Sequence, residues 1–392
     1  MVTKKETFNK AQIALSSTSH LVTDLYSSFI VGLIPILTVR FGLSLFLVSI
    51  LTSVNFVSNS FTQPIFGLLS DRHGIRQFMI LGPFFGSVFI SLLGIAPSYY
   101  TILLLLFLGN ISIAAFHPSS ASVAGHFGGE RKGLGNSIIS FGGNLGYAAG
   151  SLFIIFIVEQ FGLSYTPVTM VPGIIMSIIL FKTIRSPKIN IFEHRDTNIF
   201  TKIKKVKKSK IGLIAIIIFT SYSRDIIWIS LATFIPLYFA AQGITLINIG
   251  YLLLSFGLAG ALGGILSGYY YDRLKYRTLF IQAGLLISVP LLFFVFRTDN
   301  PLSIIFYILG GFFLISTLPL CIRLSQKILP SNLGLASSLV IGLSGGLAAL
   351  TVILLGRIAD IIGIVATISA ILILPVISSI LLGFFSVLEK KA

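Results

Sequence analysis

Six ionisable side chains fall inside long apolar runs of this chain: His20, Asp24, His117, Arg224, Asp225 and Arg323. Such groups are costly at membrane depth and face a cavity or a partner, so each is a candidate for function. His20 and Asp24 are four apart and share one helix face, with Ser27 and Ser28 a turn further on. Carboxylates and imidazoles exchange protons, which makes Asp24, His117 and Asp225 candidates for proton coupling. Arg224 and Arg323 are cations in an otherwise apolar half, and they favour an anionic or strongly polar substrate group. Plainer roles stand beside these. His117 could be a hydrogen-bonded helix contact beside Pro118, Arg224 and Asp225 a charge pair that holds the protein together, and Arg323 a side chain snorkelling to the membrane surface.

Uncharged polar residues repeat at helical spacing around them. Asn55, Asn59 and Gln63 recur every four residues, as do Asn136, Ser140 and Asn144, and Asn110 precedes His117 by seven. With His20 these stripes predict one aqueous wall, and Arg224, Trp228 and Arg323 predict the wall opposite. No Rossmann or phosphate-loop fingerprint and no His-Glu-x-x-His occurs. The expectation is a protein that is not an enzyme, with no cofactor and no metal.

The elements that position these residues follow from composition. Hydrophobic residues make up 55% of the 392, charged residues 10%, and mean hydropathy is +0.98. A span needs about 20 apolar residues, and twelve such runs are present, too continuously apolar for barrel strands. Between Gly67 and Arg76 lies a charged turn, Gly-Leu-Leu-Ser-Asp-Arg-His-Gly-Ile-Arg, and it comes back 201 residues later. Gly67, Asp71, Arg72 and Arg76 fall on Gly268, Asp272, Arg273 and Arg277, and the same shift puts Asp24 on Asp225, Pro35 on Pro236, Gly42 on Gly243 and Pro118 on Pro319. The chain thus reads as an all-α integral membrane protein, twelve transmembrane helices in two pseudo-symmetric six-helix bundles, 1–184 and 211–392, joined by a basic linker, 185–210. Glycines four apart, Gly142, Gly146 and Gly150 and again Gly260, Gly264 and Gly268, predict close helix packing.

Basic residues collect on the cytoplasmic side of membrane proteins. With the amino terminus inside, the predicted cytosolic segments hold 23 of the 28 Lys and Arg. Both termini are therefore expected in the cytoplasm and the protein in the cell membrane, its net charge of +16 attracted to an anionic inner leaflet and not to nucleic acid. The lysines at 202, 204, 205, 207, 208 and 210 read as a solvated linker or as a lipid-binding patch. The amino-terminal lead lacks the pattern of a signal peptide. Cys321 is the lone cysteine, so no intramolecular disulfide is expected. A monomer is expected.

The turn at Gly67, Leu69, Asp71, Arg72 and Gly74 resembles the loop between the second and third helices of major facilitator superfamily transporters, departing at Ile75, where the family carries a cation. The resemblance narrows at His20-Leu-Val-Thr-Asp24-Leu-Tyr26, Phe29, Pro35-Ile-Leu37, Gln63-Pro64 with Gly67, Phe116-His117-Pro118 and Gly133-Leu-Gly-Asn-Ser137 with Gly142-Gly143-Asn144. These are similar to the fosmidomycin-resistance branch, which is associated with proton-coupled drug export. That branch follows His-Pro with an acid and then an arginine, where Ser119 and Ser122 stand here. The resemblance implies a secondary transporter working by alternating access; Asp71, Arg72, Arg76, Asp272, Arg273 and Arg277, at inner helix ends, are assigned to its gate, the alternative being a topology determinant that never moves. It also implies proton-coupled efflux of a small amphipathic or anionic compound. Proton-coupled uptake of an organic anion or other nutrient is the alternative, and a non-transporting sensor or scaffold the alternative of another class.

Overall fold

The computed structural model describes residues 8–185, 208–270, 277–298, 301–330 and 333–385. Among these, twelve helices are long and apolar enough to cross a membrane: α1 Lys10–Phe41, α2 Leu45–Ser70, α3 Ile75–Ile95, α4 Tyr99–Phe127, α5 Gly129–Phe161, α6 Leu163–Thr183, α7 Lys210–Ala241, α8 Leu246–Tyr270, α9 Arg277–Phe294, α10 Leu302–Ile328, α11 Leu335–Ile362 and α12 Ile364–Gly383. No strand occurs among the described residues. Large apolar side chains such as Val39, Phe181 and Leu354 stand exposed, as expected of surfaces that meet lipid. All twelve expected spans are present. Six fall in each half of the sequence.

The packing forms two compact units. One takes the described parts of Met1–Gly42, Val54–Arg195 and Ile244–Leu254, the other those of Leu43–Ser53, Asp196–Gly243 and Ser255–Ala392. The units follow the sequence halves except that the first residues of α2 pack with the second half and the first residues of α8 with the first.

The 201-residue repeat is written into the backbone. Gly42 and Gly243, at φ of 60° and 78°, end α1 and α7, while Gly162 and Gly363, at 90° and 84°, turn α5 into α6 and α11 into α12. A side chain at any of the four would be strained. Contacts repeat too: a Cβ on Gly67 would meet Pro118 at 3.8 Å, and one on Gly268 would meet Pro319 at 3.7 Å. The glycine stripe of α5 does what its spacing predicts. A Cβ on Gly142, Gly146 or Gly150 would run into the carbonyl oxygens of Ser17, Leu21 and Leu25, one turn apart along α1. In α8 the stripe is different. Gly260 abuts Ile315 and Gly263 abuts the Phe312 carbonyl, whereas Gly264 and Gly268 have ordinary clearance to Pro319. The close approach there follows a three-residue step rather than the four-residue one that the sequence spacing suggested.

Candidate functional site

Because α5 touches α1 backbone to backbone, the side chains between them have little room. Gly143 makes that room: a Cβ there would sit 2.6 Å from His20 Nε2 and 2.8 Å from Asp24 Oδ2. One turn before Gly143, the Ile139 carbonyl oxygen lies 3.0 Å from His20 Nδ1. His20 Nε2 is 3.1 Å from Asp24 Oδ2 and 3.1 Å from His117 Nδ1 on α4, and His117 Nε2 is 3.5 Å from Asp24 Oδ1. His20 and Asp24, paired on one face in the sequence, and His117, singled out apart from them, thus form one cluster, with α5 supplying an acceptor and a gap.

The hydrogen-bond count in this cluster is constrained. A carbonyl oxygen only accepts, so His20 Nδ1 carries the hydrogen and donates it to Ile139. A neutral His20 then has a bare lone pair on Nε2, facing a carboxylate that also offers only lone pairs. Their 3.1 Å contact is a hydrogen bond only when a proton sits on Nε2 or on Asp24 Oδ2. The same Nε2 also lies 3.1 Å from His117 Nδ1, so the geometry has room for one proton more than a neutral imidazole beside an ionised carboxylate carries. His117 gives that proton a third neighbour, and Asp24 Oδ1, buried with no hydrogen-bond partner, has an acceptor to spare. Ligand atoms of the three side chains lie within 4.8 Å of one another.

Asn55 and Asn110 depart from expectation. Asn110 Nδ2 donates to Asn55 Oδ1 at 2.8 Å and Asn55 Nδ2 to the Ser27 carbonyl at 3.1 Å, where α1 is interrupted at Ser28. Both asparagines are fully buried. Their amide nitrogens tie α4 to α2 and α2 to α1, Asn110 Oδ1 is buried without a hydrogen-bond partner, and neither side chain is part of an open wall. Asn59 is half-buried and accepts from Gln63 along α2. Asn136, Ser140 and Asn144 do form an exposed polar face on α5. A stripe of period four reports a shared face. It does not report whether that face is packed or open.

In the second unit, Arg224 donates through Nε and Nη2 to Asp225 Oδ1 at 2.9 and 2.7 Å, and Ser344 Oγ donates to Asp225 Oδ2 at 2.8 Å. Arg224 Nη1 is buried without a hydrogen-bond partner. Trp228 is half-buried one turn on, and Arg323 is exposed on α10. Asp225 is thus held by a guanidinium and a hydroxyl, unlike its counterpart Asp24 between two imidazoles. Of the expected gate residues, Arg76 donates to the Phe181 carbonyl with its guanidinium 5.3 Å from the Phe181 ring centre, and Arg277 opens α9. Asp272 and Arg273, and the side chains of Asp71 and Arg72, lie outside the described residues. Sequence reasoning named Gly143 only within a motif, without its role beside His20, and missed Ser344. That role could have been found by asking which glycine faces His20 once α5 is laid on α1.

Twelve spans and an internal repeat around a buried cluster of two histidines and an aspartate define a polytopic membrane protein built as many transporters are. The Major Facilitator Superfamily profile matches residues 17–340, and the chain belongs to that superfamily. It is 25% identical over 346 residues to the fosmidomycin resistance protein of Escherichia coli, covering 88% of this chain and 85% of that one. With YfnC of Bacillus subtilis, an uncharacterized MFS-type transporter, it shares 27% identity over 378 residues, covering 95% and 91%. Among solved structures, it is similar to a bacterial homolog of the human lysosomal transporter Spinster in an inward-facing and occupied conformation (TM-score 0.78, 15% identity, 97% of each chain). A mutant of the nucleoside transporter NupG also matches (TM-score 0.76, 13% identity, 96% of this chain and 99% of that one). At these identities the structures establish the fold.

Proposed function

We propose that this transporter exchanges protons, carried on the His20–Asp24–His117 cluster, for a small amphipathic or anionic compound that it exports across the cell membrane. The observation that carries the reading is the 3.1 Å contact between His20 Nε2 and Asp24 Oδ2 with Nδ1 already donating to Ile139, which leaves room for one shared proton. If substrate loading and proton loading oppose one another, each releases the other, and exchange follows from binding linkage alone. The anionic part of the reading rests on Arg224, whose spare Nη1 donor suits an acidic oxygen. Asp225, already held by Arg224 and Ser344, is a weaker candidate for carrying a proton and fits the role of keeping that guanidinium oriented. The exposed face of Asn136, Ser140 and Asn144 supports a water-lined path, since three such groups are poorly accommodated by lipid. Efflux is favoured over uptake by similarity to a relative named for resistance to a drug. The distribution of Lys and Arg supports cytoplasmic termini, a basic loop against an anionic inner leaflet and a gate at the charged turns around Asp71 and Arg76. The working unit is proposed to be the monomer.

The test is substrate-dependent proton movement in proteoliposomes loaded with a pH-sensitive dye, using phosphonates, carboxylates and lipophilic drugs. A compound that moves protons counter to its own flux in the wild type, and moves none in Asp24→Asn, supports the reading. Protons moving with the substrate give symport instead. Substrate flux without a proton signal in the wild type, unchanged in the variant, refutes proton coupling.

A further inference from the structure

The membrane end away from the basic loops carries a second set of charges that the proton cluster does not use. The first amides of an α-helix have no partner within the helix. At the start of α2, Leu45 N–H donates to Asp360 Oδ1 at 2.8 Å and Phe46 N–H to Asp360 Oδ2 at 3.1 Å, while Leu47 N–H goes to Ser44 Oγ at 3.3 Å. One carboxylate at the end of α11 thus closes two amides of α2. At the start of α8, Ile247 N–H donates to Glu159 Oε1, at the end of α5, at 3.1 Å. Adding 201 to Phe46 gives Ile247, and adding 201 to Glu159 gives Asp360. The two caps are the same contact in the two repeats, made by the shorter acid in one and the longer acid in the other.

The packing beneath each cap repeats as well. Ser49 lies against Gly356 so closely that a Cβ on the glycine would overlap the serine, and Ser53 Oγ donates to the Ala349 carbonyl at 2.6 Å. The shifted positions are Gly250 and Ile155. A Cβ on Gly250 would stand 2.8 Å from Leu152 and 3.3 Å from Ile155. The close residue is a glycine on α11 in one copy and on α8 in the other. In both copies a helix from one sequence half is fastened to a helix from the other inside one compact unit, which is why the first residues of α2 and α8 leave the units of their own halves.

We propose that Asp360 and Glu159 are gating residues: a symmetric pair of latches that hold this end shut and release the amino ends of α2 and α8 when it opens. A latch of this kind suits a reversible transition. Each carboxylate is exposed, so water can solvate both it and the freed amides once the contact breaks, and the cost of opening stays within the range that transport can meet.

The experiment is a spin-label distance measurement in lipid nanodiscs, which needs neither substrate nor a proton gradient. Labels go on Val39→Cys and Ile361→Cys, both at exposed positions, in a Cys321→Ser background. The latch predicts that Asp360→Asn with Glu159→Gln, which takes the charge from all three amide contacts while leaving each residue an acceptor oxygen, raises the ratio of the longer-distance population to the shorter by at least about tenfold, with the melting temperature in detergent unchanged. Exchanging the acids, Asp360→Glu with Glu159→Asp, keeps both charges and returns the wild-type distribution. A distribution unchanged by the neutral pair, or changed equally by the exchanged pair, overturns the proposal. Should the neutral pair fail to fold, Leu45→Pro removes the donor instead of the acid at a first-turn position where proline is tolerated. It must then produce the same shift in direction, and its failure to do so overturns the proposal equally.

Discussion

Gly143→Ala adds one methyl group where the structure has no room for it. The new carbon would stand 2.6 Å from His20 Nε2, 2.7 Å from His20 Cε1 and 2.8 Å from Asp24 Oδ2, against 3.4 Å or more for ordinary contact. The imidazole must retreat by about 0.8 Å. Its Nδ1 is tied to Ile139 on the same helix as the intruding methyl, so retreat lengthens the 3.1 Å contact with Asp24 beyond hydrogen-bond range. Losing a hydrogen bond to a charged group costs about 1.5–3 kcal/mol, which is a factor of about ten to a hundred in coupled flux if the shared proton is what transport uses. Replacing a mid-helix glycine by alanine returns about 1 kcal/mol of helix stability, so the variant should fold. The assay pairs dye-reported proton flux with thermal unfolding in detergent, and Gly133→Ala, where a Cβ meets nothing within 4 Å, is the control. Coupled flux at the wild-type level in Gly143→Ala would refute the cluster's role, because no other adjustment spares both contacts.

Three further outcomes are expected. Asn55→Ala strips acceptors and donors from Asn110 and the Ser27 carbonyl at once, and should lower stability by about 1–3 kcal/mol, read as an earlier midpoint in thermal unfolding. Gly146→Val places a branched side chain against the Leu21 carbonyl and should abolish folded protein, read by size-exclusion chromatography. Arg224→Ala leaves Asp225 buried without its guanidinium and should cost about 3–5 kcal/mol. The double variant Arg224→Met with Asp225→Leu should recover expression and still fail to move anionic compounds, and anion transport by that double variant would remove Arg224 from the substrate site.

The twelve spans were legible because hydropathy and length report directly on a membrane, and the repeat because glycine and proline mark backbone events that a gapless shift can align. What the sequence left open was which polar residue faces which neighbour. Asn55 and Asn144 both sit in period-four stripes, yet the first is sealed between helices by Asn110 and Ser27 and the second is exposed. Helix periodicity gives a face, and only packing says what lies against it. The cluster was legible in parts: His20 and Asp24 by their i, i+4 spacing, His117 by its position in an apolar run. Their meeting depends on α5 pressing on α1, and the residue that permits it, Gly143, belongs to none of the stripes.

The repeat and the chemistry part company at one pair of positions. Backbone devices recur in both halves: the left-handed glycines, the glycine–proline contacts and the acid caps on α2 and α8. Asp24 and Asp225 also correspond, but one lies between two imidazoles and the other is held by a guanidinium and a serine. An imidazole can gain or lose a proton near neutral pH, and a guanidinium stays charged. The same acid therefore lies between two groups that titrate near neutral pH in the first half and beside one that does not in the second. The two roles proposed for them, proton carriage at Asp24 and anion binding at Arg224, follow that division. A symmetric frame with one titrating and one fixed site gives the two ligands separate places, so competition between them must pass through the frame rather than through a shared atom. The exchange of proton-cluster variants such as Asp24→Asn for loss of coupling with substrate binding intact is what this division requires.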